Sequence, residues 1–162
     1  MWQNDKKNGL GLLTQANGCV YQGNWRDDKK NGEGVYIDSN GYEYESVWKN
    51  GKMDEKVILF EPNCGNIYKG TLKNGLKNGQ GIYSYYDGHR HEGTWKDGKL
   101  NGQGSITSPD GSKIEGMFEN DKMTSQTALI LPTGIRFEGP MVISGLTGYG
   151  IMTDNDGDRY EG

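Results

Sequence analysis

A glycine that recurs about every 23 residues is the feature of this sequence that most restricts its fold. Successive members of the series are separated by 23, 24, 23, 23, 23 and 23 residues. They are Gly18, Gly41, Gly65, Gly88, Gly111, Gly134 and Gly157. Self-similarity at a fixed period of this length is typical of repeat proteins, in which each unit is one small supersecondary structure. Positions within the repeat are numbered below from these glycines, which are position one.

Positions four, six and eight of the repeat alternate in a way that predicts a strand. Position four is aromatic in most repeats, as at Tyr21 and Tyr68, and position six is usually glycine, as at Gly23. Position eight is large and apolar, as at Trp25 and Trp95. Residues two apart share one face of a strand. A glycine between two large side chains therefore leaves room for a neighbouring ring to lie over the backbone.

Two turns complete each repeat. Positions ten and eleven carry pairs such as Asn50-Gly51, which are typical of a two-residue hairpin turn. A second strand follows, and it ends at another turn such as Asp110-Gly111. The sequence therefore predicts an all-β chain of tandem β-hairpins. The complete repeats are 18–40, 41–64, 65–87, 88–110, 111–133 and 134–156, with partial repeats at 1–17 and 157–162.

This pattern resembles the MORN (membrane occupation and recognition nexus) repeat, whose motif reads YxGxWxxGxxxGxG. The residues that carry the resemblance are Tyr21-Gln22-Gly23-Asn24-Trp25 and His91-Glu92-Gly93-Thr94-Trp95, the second followed by Gly98, Gly102 and Gly104. The resemblance covers the whole chain. It implies an elongated, twisted antiparallel sheet of successive hairpins, solenoid-like, in which each repeat contacts only its neighbours.

Composition and charge limit the classes of function. Only 32% of the residues are hydrophobic and 27 are glycine, so a thick core is not expected. The net charge of -4 argues against nucleic acid as a partner, because phosphate binding needs a basic surplus. No apolar stretch has the length of a membrane span or the character of a signal peptide, which predicts a cytoplasmic chain. Cys19 and Cys64 lie about two repeats, or roughly 20 Å, apart and should be free thiols.

Two apolar runs interrupt the repeat pattern, at Val57-Ile58-Leu59-Phe60 and Ala128-Leu129-Ile130-Leu131. One interpretation is packing, in which larger side chains replace glycines and neighbouring rings adjust. The other is docking, because a one-layer sheet cannot bury consecutive apolar residues on both faces. A partner helix or an extended peptide would then bind in the groove, and pairing with a second copy through open strand edges is a further alternative. The candidate partner-binding residues are Val57, Ile58, Leu59, Phe60, Leu129, Ile130 and Leu131.

Lysines recur in the hairpin turns. Since equivalent turns fall on the same edge of an array, these lysines are expected to form one basic margin that could meet anionic lipid head groups. Solvated turns explain the same residues without any ligand. The candidate lipid-binding residues are Lys29, Lys30, Lys52, Lys73, Lys77, Lys96, Lys99 and Lys122. A separate acidic stripe at repeat position five consists of Glu45, Glu92, Glu115, Glu138 and Glu161.

The sequence offers no constellation typical of catalysis, a metal site or a cofactor site. His89 and His91 are the two histidines, and His91 occupies an aromatic position of its repeat, which favours packing over metal binding. Asp154, Asp156 and Asp158 resemble a calcium loop, but Arg159 stands where that loop needs glycine, so the repeat predicts an ordinary turn. The Gly-x-Gly pairs lack the third glycine and following helix of a dinucleotide site.

The sequence therefore predicts a non-catalytic protein-binding scaffold. The resemblance ties such scaffolds to cytoskeletal, ciliary or axonemal structures and to membrane-apposed assemblies. Two alternatives stay open: an accessory repeat region of a larger enzyme, such as a lipid kinase or a lysine methyltransferase, and a phospholipid-binding membrane tether.

Overall fold

The computed structural model describes the backbone of residues 2–142, 145–146 and 149–162. It describes the side chains of the same residues other than 125–127, 140–142 and 145–146. All regular structure in the described ranges is β, and these ranges contain no helix that is long and apolar enough to cross a membrane. The longer strands pair antiparallel with their neighbours in the order of the chain, within each of the two units described below. The predicted all-β fold of tandem hairpins is confirmed.

The chain divides into two compact units, the N-terminal unit Met1–Gly75 and the C-terminal unit Leu76–Gly162. In the N-terminal unit a short ribbon of two strands precedes six longer strands, and each of the six pairs with its neighbour in the chain. These strands are β1 (Trp2–Gln3), β2 (Lys6–Lys7), β3 (Gly9–Thr14), β4 (Val20–Arg26), β5 (Lys29–Ile37), β6 (Glu43–Lys49), β7 (Lys52–Phe60) and β8 (Ile67–Lys73).

The C-terminal unit repeats the same antiparallel order. Its strands are β9 (Leu76–Ser84), β10 (Arg90–Lys96), β11 (Lys99–Thr107), β12 (Lys113–Glu119), β13 (Lys122–Ile130), β14 (Arg136–Val142), β15 (Gly145–Leu146), β16 (Ile151–Thr153) and β17 (Arg159–Glu161). The short strand β15 pairs with β14 beside the main order.

The turns inside the hairpins have the left-handed backbone that their residues favour. Asn50 and Gly51 have φ angles of 52° and 85°, and Asp97 and Gly98 have φ angles of 50° and 85°. Two consecutive positive φ angles define the type I′ turn, whose twist matches that of the flanking strands. Asparagine, aspartate and glycine tolerate this region at the lowest cost, which is why the sequence uses them here.

The turns between hairpins are wider and are closed by a glycine at position one. In the turn that ends at Gly41 the Gly41 amide donates to the Asp38 carbonyl at 3.0 Å, and Asp38 Oδ1 accepts from the amides of Asn40 and Tyr42. Asp154 does the same for Asp156 and Asp158, so the calcium-like triplet is an ordinary turn as predicted. The turn at Glu61 is one residue longer, because its glycine is Gly65, four residues on, and this accounts for the single spacing of 24.

Strand register places positions four, six and eight on one face, called here the aromatic face. In the N-terminal unit Tyr21, Trp25 and Trp48 form the buried cluster, and Leu13, Tyr36 and Met53 pack against it. In the C-terminal unit the residues buried on this face include Tyr83, Trp95, Leu100 and Phe118. The hairpins share a register shift between positions six and eight, as between Gly23 and Trp25 and between Gly93 and Trp95. Such a bulge increases the local twist of the strands.

Candidate interaction surfaces

The aromatic face of the N-terminal unit is held by edge-to-face rings. The Tyr21 ring lies 5.2 Å from Trp25 and 5.1 Å from Trp48, with interplanar angles of 89° and 76°. These are favoured aromatic geometries. The Tyr21 hydroxyl donates to the Asn24 carbonyl at 3.0 Å, and the Trp25 indole donates to the Gly11 carbonyl at 3.4 Å. The polar atoms of Tyr21 and Trp25 are thus satisfied by the backbone, whereas Trp48 Nε1 is buried without a hydrogen-bond partner among the described residues. Burial raises the pKa of the Tyr21 hydroxyl.

Lys30 lies inside this cluster and not at a solvated edge. Its Nζ is 4.5 Å from the centre of the Tyr21 ring, 4.6 Å from that of Tyr36 and 4.4 Å from that of Trp48. Three ring faces around one ammonium group make a cation–π site. Burial lowers the pKa of Lys30, and the electrostatic effect of the Cys19 sulfur opposes that change. The pKa of Tyr36 is raised to about 12, first by a hydrogen bond with Cys19 and then by burial.

The C-terminal unit has a similar lysine over its rings. Nζ of Lys77 lies 3.7 Å from the centre of the Tyr83 ring and 4.8 Å from that of Trp95. Position thirteen of the repeat is therefore a packing position, and other repeats fill it with an apolar chain, such as Leu100, which is 1% exposed. Of the eight candidate lipid-binding lysines, Lys30 and Lys77 face rings, while the other six are exposed. Those six are Lys29, Lys52, Lys73, Lys96, Lys99 and Lys122.

His91 lies among aromatic rings of the C-terminal unit. Its ring is 4.8 Å from that of Tyr85, and its Nδ1 is 3.3 Å from the Tyr85 hydroxyl. Burial lowers the pKa of His91, Asp121 opposes this, and His89 and Lys77 add to it. The two cysteines are free thiols as predicted, Cys19 buried and Cys64 exposed. Over the described ranges, no cluster of three or more His, Cys, Asp or Glu side chains could hold a metal ion.

The two apolar runs alternate between the faces of the sheet. Val57 and Leu59 are buried on the aromatic face, at 4% and 8% exposure, while Ile58 and Phe60 lie half-buried on the opposite face. In the second run Leu129 lies half-buried on the aromatic face, and Ala128 and Ile130 lie on the opposite face. Leu131 follows the strand and begins a turn, where its carbonyl accepts from the Gly134 amide at 2.8 Å. The structure thus divides the first run into residues buried on the aromatic face and residues that face outward, whereas in the second run Ala128, on the opposite face, is the buried residue.

On the opposite face of the C-terminal unit, ion pairs join two rows of charge. The acidic stripe predicted at position five is accompanied by a basic row at position three. Arg90 pairs with Glu92 at 2.9 Å, and Arg136 pairs with Glu115 at 3.0 Å and with Glu138 at 2.8 Å. Hydrogen bonds from Lys113 and then Arg136 lower the pKa of Glu115.

This basic row was not predicted from the sequence, although its members recur every 23 residues. They are Arg90, Lys113, Arg136 and Arg159. They lie along one row of register partners, and Glu92, Glu115, Glu138 and Glu161 lie along the next. Ala128 lies between Glu115 and Glu138 in that second row and is 6% exposed. The ion-paired glutamates Glu115 and Glu138 therefore flank the small apolar side chain of Ala128 on this face.

The same face of the N-terminal unit has a different composition. Position three holds Val20, Glu43 and Ile67, so the basic row is absent there. Val35, Ile37, Ile58 and Phe60 occupy the strands on either side of Glu43 and Glu45. Val47 and Ile67 are exposed by 53% and 36%. In the part of this unit that the structure describes, no ion pairs flank the apolar side chains of this face.

A comparison with family models identifies the class of protein to which these hairpins belong. The model described as MORN repeat matches residues 1–20, 21–41, 44–56, 68–90, 91–113 and 144–159. These segments make up more than half of the chain, and the chain belongs to the MORN repeat family. Residues 57–67 and 114–143, which contain the two apolar runs, fall between the matched segments. A search of curated proteins gives no significant match.

Among solved structures, the fold is similar to a domain described as the SAS-4 (dCPAP) TCP domain of Drosophila melanogaster, in complex with a proline rich motif of Ana2 (dSTIL). The likeness has a TM-score of 0.50 at 14% sequence identity and covers 94% of this chain and 88% of that one. At this identity the likeness concerns the fold alone. It shows that a sheet of this kind occurs in a domain that holds a peptide.

Proposed function

We propose that this chain is a non-catalytic scaffold module that binds other proteins through the faces of its sheet. The observation that carries the proposal is the alternation of the run Val57–Phe60. Leu59 is buried on the aromatic face while Phe60 faces outward on the other side. A sheet with one layer buries apolar side chains on both faces only when something else covers the second face.

The family and the structural neighbour support the same function. The match to the MORN repeat suggests a repeat-based binding module, and the neighbouring domain is described in complex with a proline rich motif of another protein. His91, weighed above as a metal ligand, and Lys30, a candidate lipid-binding residue, both contact aromatic rings. From the resemblance to MORN repeat proteins we further propose that the chain belongs to a cytoskeletal, ciliary or membrane-apposed assembly in the cytoplasm. An alternative is that the chain is an accessory repeat region of a larger enzyme, such as a lipid kinase or a lysine methyltransferase, and binds proteins in that setting.

Affinity capture with the folded full chain tests the proposal. The immobilised chain is expected to retain specific proteins from a cell extract, and a purified candidate partner should then bind it directly in solution. The control is the same chain unfolded by urea and coupled at the same density. Retention of the same proteins by folded and unfolded chains, or of none by the folded chain, would contradict the proposal.

Anionic lipid is the second candidate ligand, because six of the turn lysines are exposed. Each exposed lysine near an anionic membrane contributes about 1 kcal/mol. Co-sedimentation with phosphatidylserine vesicles should then decrease in the variant Lys29→Glu/Lys52→Glu/Lys73→Glu. Equal sedimentation of the variant and the parent, or equal sedimentation with neutral phosphatidylcholine vesicles, would exclude this candidate.

A further inference from the structure

Two rows of side chains cross the opposite face of the N-terminal unit, and each row has a glutamate at its centre. The first row of register partners is Val20, Ile37, Glu43, Phe60 and Ile67. The second row is Gln22, Val35, Glu45, Ile58 and Lys69. Glu43 and Glu45 stand side by side on β6, with apolar residues on the flanking strands β5 and β7. We call these two rows the acid-centred patch.

Glu43 and Glu45 lack the paired cations that accompany glutamates on this face of the C-terminal unit, and Lys69, the basic residue of the second row, lies two strands away from Glu45. In the C-terminal unit each position-five glutamate has a basic residue two positions before it on the same strand, as in Arg90 with Glu92 at 2.9 Å and Lys113 with Glu115 at 2.6 Å. On β6 the residue two positions before Glu45 is Glu43. Among the described residues, neither Glu43 nor Glu45 forms an ion pair.

The apolar part of the patch also departs from the family pattern. Ile58, Phe60 and Ile67 fall within residues 57–67, which the MORN repeat model does not match. Ile58 and Phe60 are half-buried, and Ile67 is 36% exposed. Two like charges inside an apolar frame are unfavourable without a cation, since nearby like charges repel and desolvation adds to the cost. A ligand that brings positive charge between two apolar side chains therefore complements this surface.

We propose that the acid-centred patch docks an amphipathic helix of a partner protein, with basic residues midway between two large apolar residues. The spacing favours a helix. Ile37 and Phe60 lie on either side of Glu43, two strand spacings or about 9.6 Å apart. Residues i and i+7 of a helix rise about 10.5 Å and share a face, whereas same-face residues of an extended peptide recur about every 6.6 Å.

In this arrangement the helix lies along the rows, across the strands. Apolar residues at i and i+7 contact the two apolar columns, one formed by Val35 and Ile37 and the other by Ile58 and Phe60. Basic residues at i+3 and i+4 project to the two sides of the helix axis, where Glu43 and Glu45 lie. The partner thus supplies the cations that Arg90 and Lys113 supply within the C-terminal unit. This inference rests on the proposed scaffold function and names the surface and the chemistry of the partner.

Fluorescence anisotropy with two synthetic helical peptides tests the inference. Both peptides carry leucine at i and i+7, and they differ only in arginine or glutamate at i+3 and i+4. The full-length chain should bind the arginine peptide at least about tenfold more tightly, since charge-assisted pairs that lose water on docking are the stronger ones. The variant Glu43→Arg/Glu45→Arg should reverse this preference. The control Glu33→Arg/Glu55→Arg makes the same change of charge outside the two rows and should keep it.

Two results would overturn the inference: no measurable binding of either peptide, or a preference for arginine that survives the reversal at residues 43 and 45. Circular dichroism and melting of each variant verify the fold, and the milder Glu43→Gln/Glu45→Gln variant gives the same test by loss of preference if the reversal unfolds the chain. The scaffold function fails separately, when the folded chain captures no protein. Capture that persists in the Glu43→Arg/Glu45→Arg variant places the partner on another surface and contradicts only the inference.

Discussion

The phenol ring of Tyr21 lies directly over Gly34 on the neighbouring strand. A Cβ added at Gly34 would stand 2.7 Å from the ring carbon Cε2, closer than two carbon atoms can approach. Tyr21 cannot move aside easily, because it is 1% exposed and its hydroxyl is bonded to the Asn24 carbonyl. Gly34 is thus required by the close approach of a ring.

Replacement of Gly34 should therefore destabilise the chain far more than replacement of the residue before it. Gly34→Ala places a methyl group against the Tyr21 ring, and overpacking of this kind typically costs about 1 to 3 kcal/mol. The matched control is Glu33→Ala, because Glu33 is exposed on the opposite face of the same strand. Urea unfolding followed by tryptophan fluorescence measures both. If the two variants unfold at the same urea concentration, the assignment of faces is wrong.

The sequence predicted where glycine is needed better than it predicted the reason. It placed a ring over the glycine at position six, but the nearest atoms to a Cβ built at Gly93 are the Gln103 carbonyl oxygen and the Gly104 Cα, both at 2.5 Å. Position six pairs with the second glycine of the Gly-x-Gly segment, as Gly93 does with Gly104. Ring atoms lie close to a Cβ built at Gly34 and at Gly11, whereas at the position-six residue Gly23 the nearest atom is the Gly34 Cα at 2.6 Å and the Tyr21 hydroxyl follows at 2.7 Å. The register shift between positions six and eight determines which atoms approach each glycine. No pattern of residue types in the sequence indicates that shift.

The hairpins and turns could be predicted because each depends on residues that are close in the chain. Asn50-Gly51 specifies its turn almost alone, through two positive φ angles. The candidate site depends on residues brought together by register, which a single repeat does not show. Thus Lys30 reads as a turn lysine in the sequence, whereas in the structure it lies over three rings. The charge rows were half predicted, since the acidic stripe was recognised and its basic neighbours were not.

Lys30→Met should leave the stability of the chain close to that of the parent. Methionine already fills this position of the repeat at Met53 and Met123, so its length suits the space over the rings. Lys30→Glu should be clearly destabilising, because a carboxylate meets the negative faces of the same rings and is half-buried there. Both variants lose the cation–π contribution of about 0.5 to 2 kcal/mol. Apolar contacts of methionine with the rings offset this loss, whereas a carboxylate makes no such contacts.

Thermal melting of these two variants at pH 7 provides the measurement. The control pair is Lys29→Met and Lys29→Glu, which change the exposed lysine one residue before it. The two control variants should melt within a degree or two of each other. A Lys30→Glu variant that melts with them would show that the rings do not hold the ammonium group in solution.

The stability of the chain should fall as the pH is lowered from 7 to 5, and His91 should account for part of the decrease. Burial holds the pKa of His91 in the folded chain below its ordinary value of 6.5. As the pH falls through 6.5 the unfolded chain binds a proton that the folded chain resists, so unfolding is favoured. His91→Phe removes this proton and keeps a ring at the position, as Phe137 does in another repeat.

The measurement is the melting temperature at several pH values between 7 and 5. His91→Phe should flatten the curve, while His89→Gln, which changes the neighbouring histidine and leaves the Tyr85–His91 contact in place, should keep the slope. An unchanged slope in the His91→Phe variant would mean that the ring of His91 is solvated in the folded chain.

Packing and docking can be separated within the apolar run Val57–Phe60, because its side chains alternate between the two faces. Leu59 is 8% exposed and lies in register between Tyr44 and Tyr68 on the aromatic face. Leu59→Ala should cost about 2 to 5 kcal/mol, as is usual for truncation of a buried leucine. Ile58, its neighbour in the chain, is half-buried on the opposite face, so Ile58→Ser should cost much less stability and should instead weaken partner capture.

Parallel measurement of unfolding free energy and of captured partner distinguishes the two roles. Leu59→Ala is expected to reduce capture only in proportion to the fraction of chain that is unfolded, whereas Ile58→Ser is expected to reduce capture of a fully folded chain. Ala128→Ser is a suitable control for the second run, because Ala128 lies between Glu115 and Glu138, which are both ion-paired, and is 6% exposed. Normal capture by a folded Ile58→Ser variant would make the run a packing feature on both faces and would move the docking surface elsewhere on the sheet.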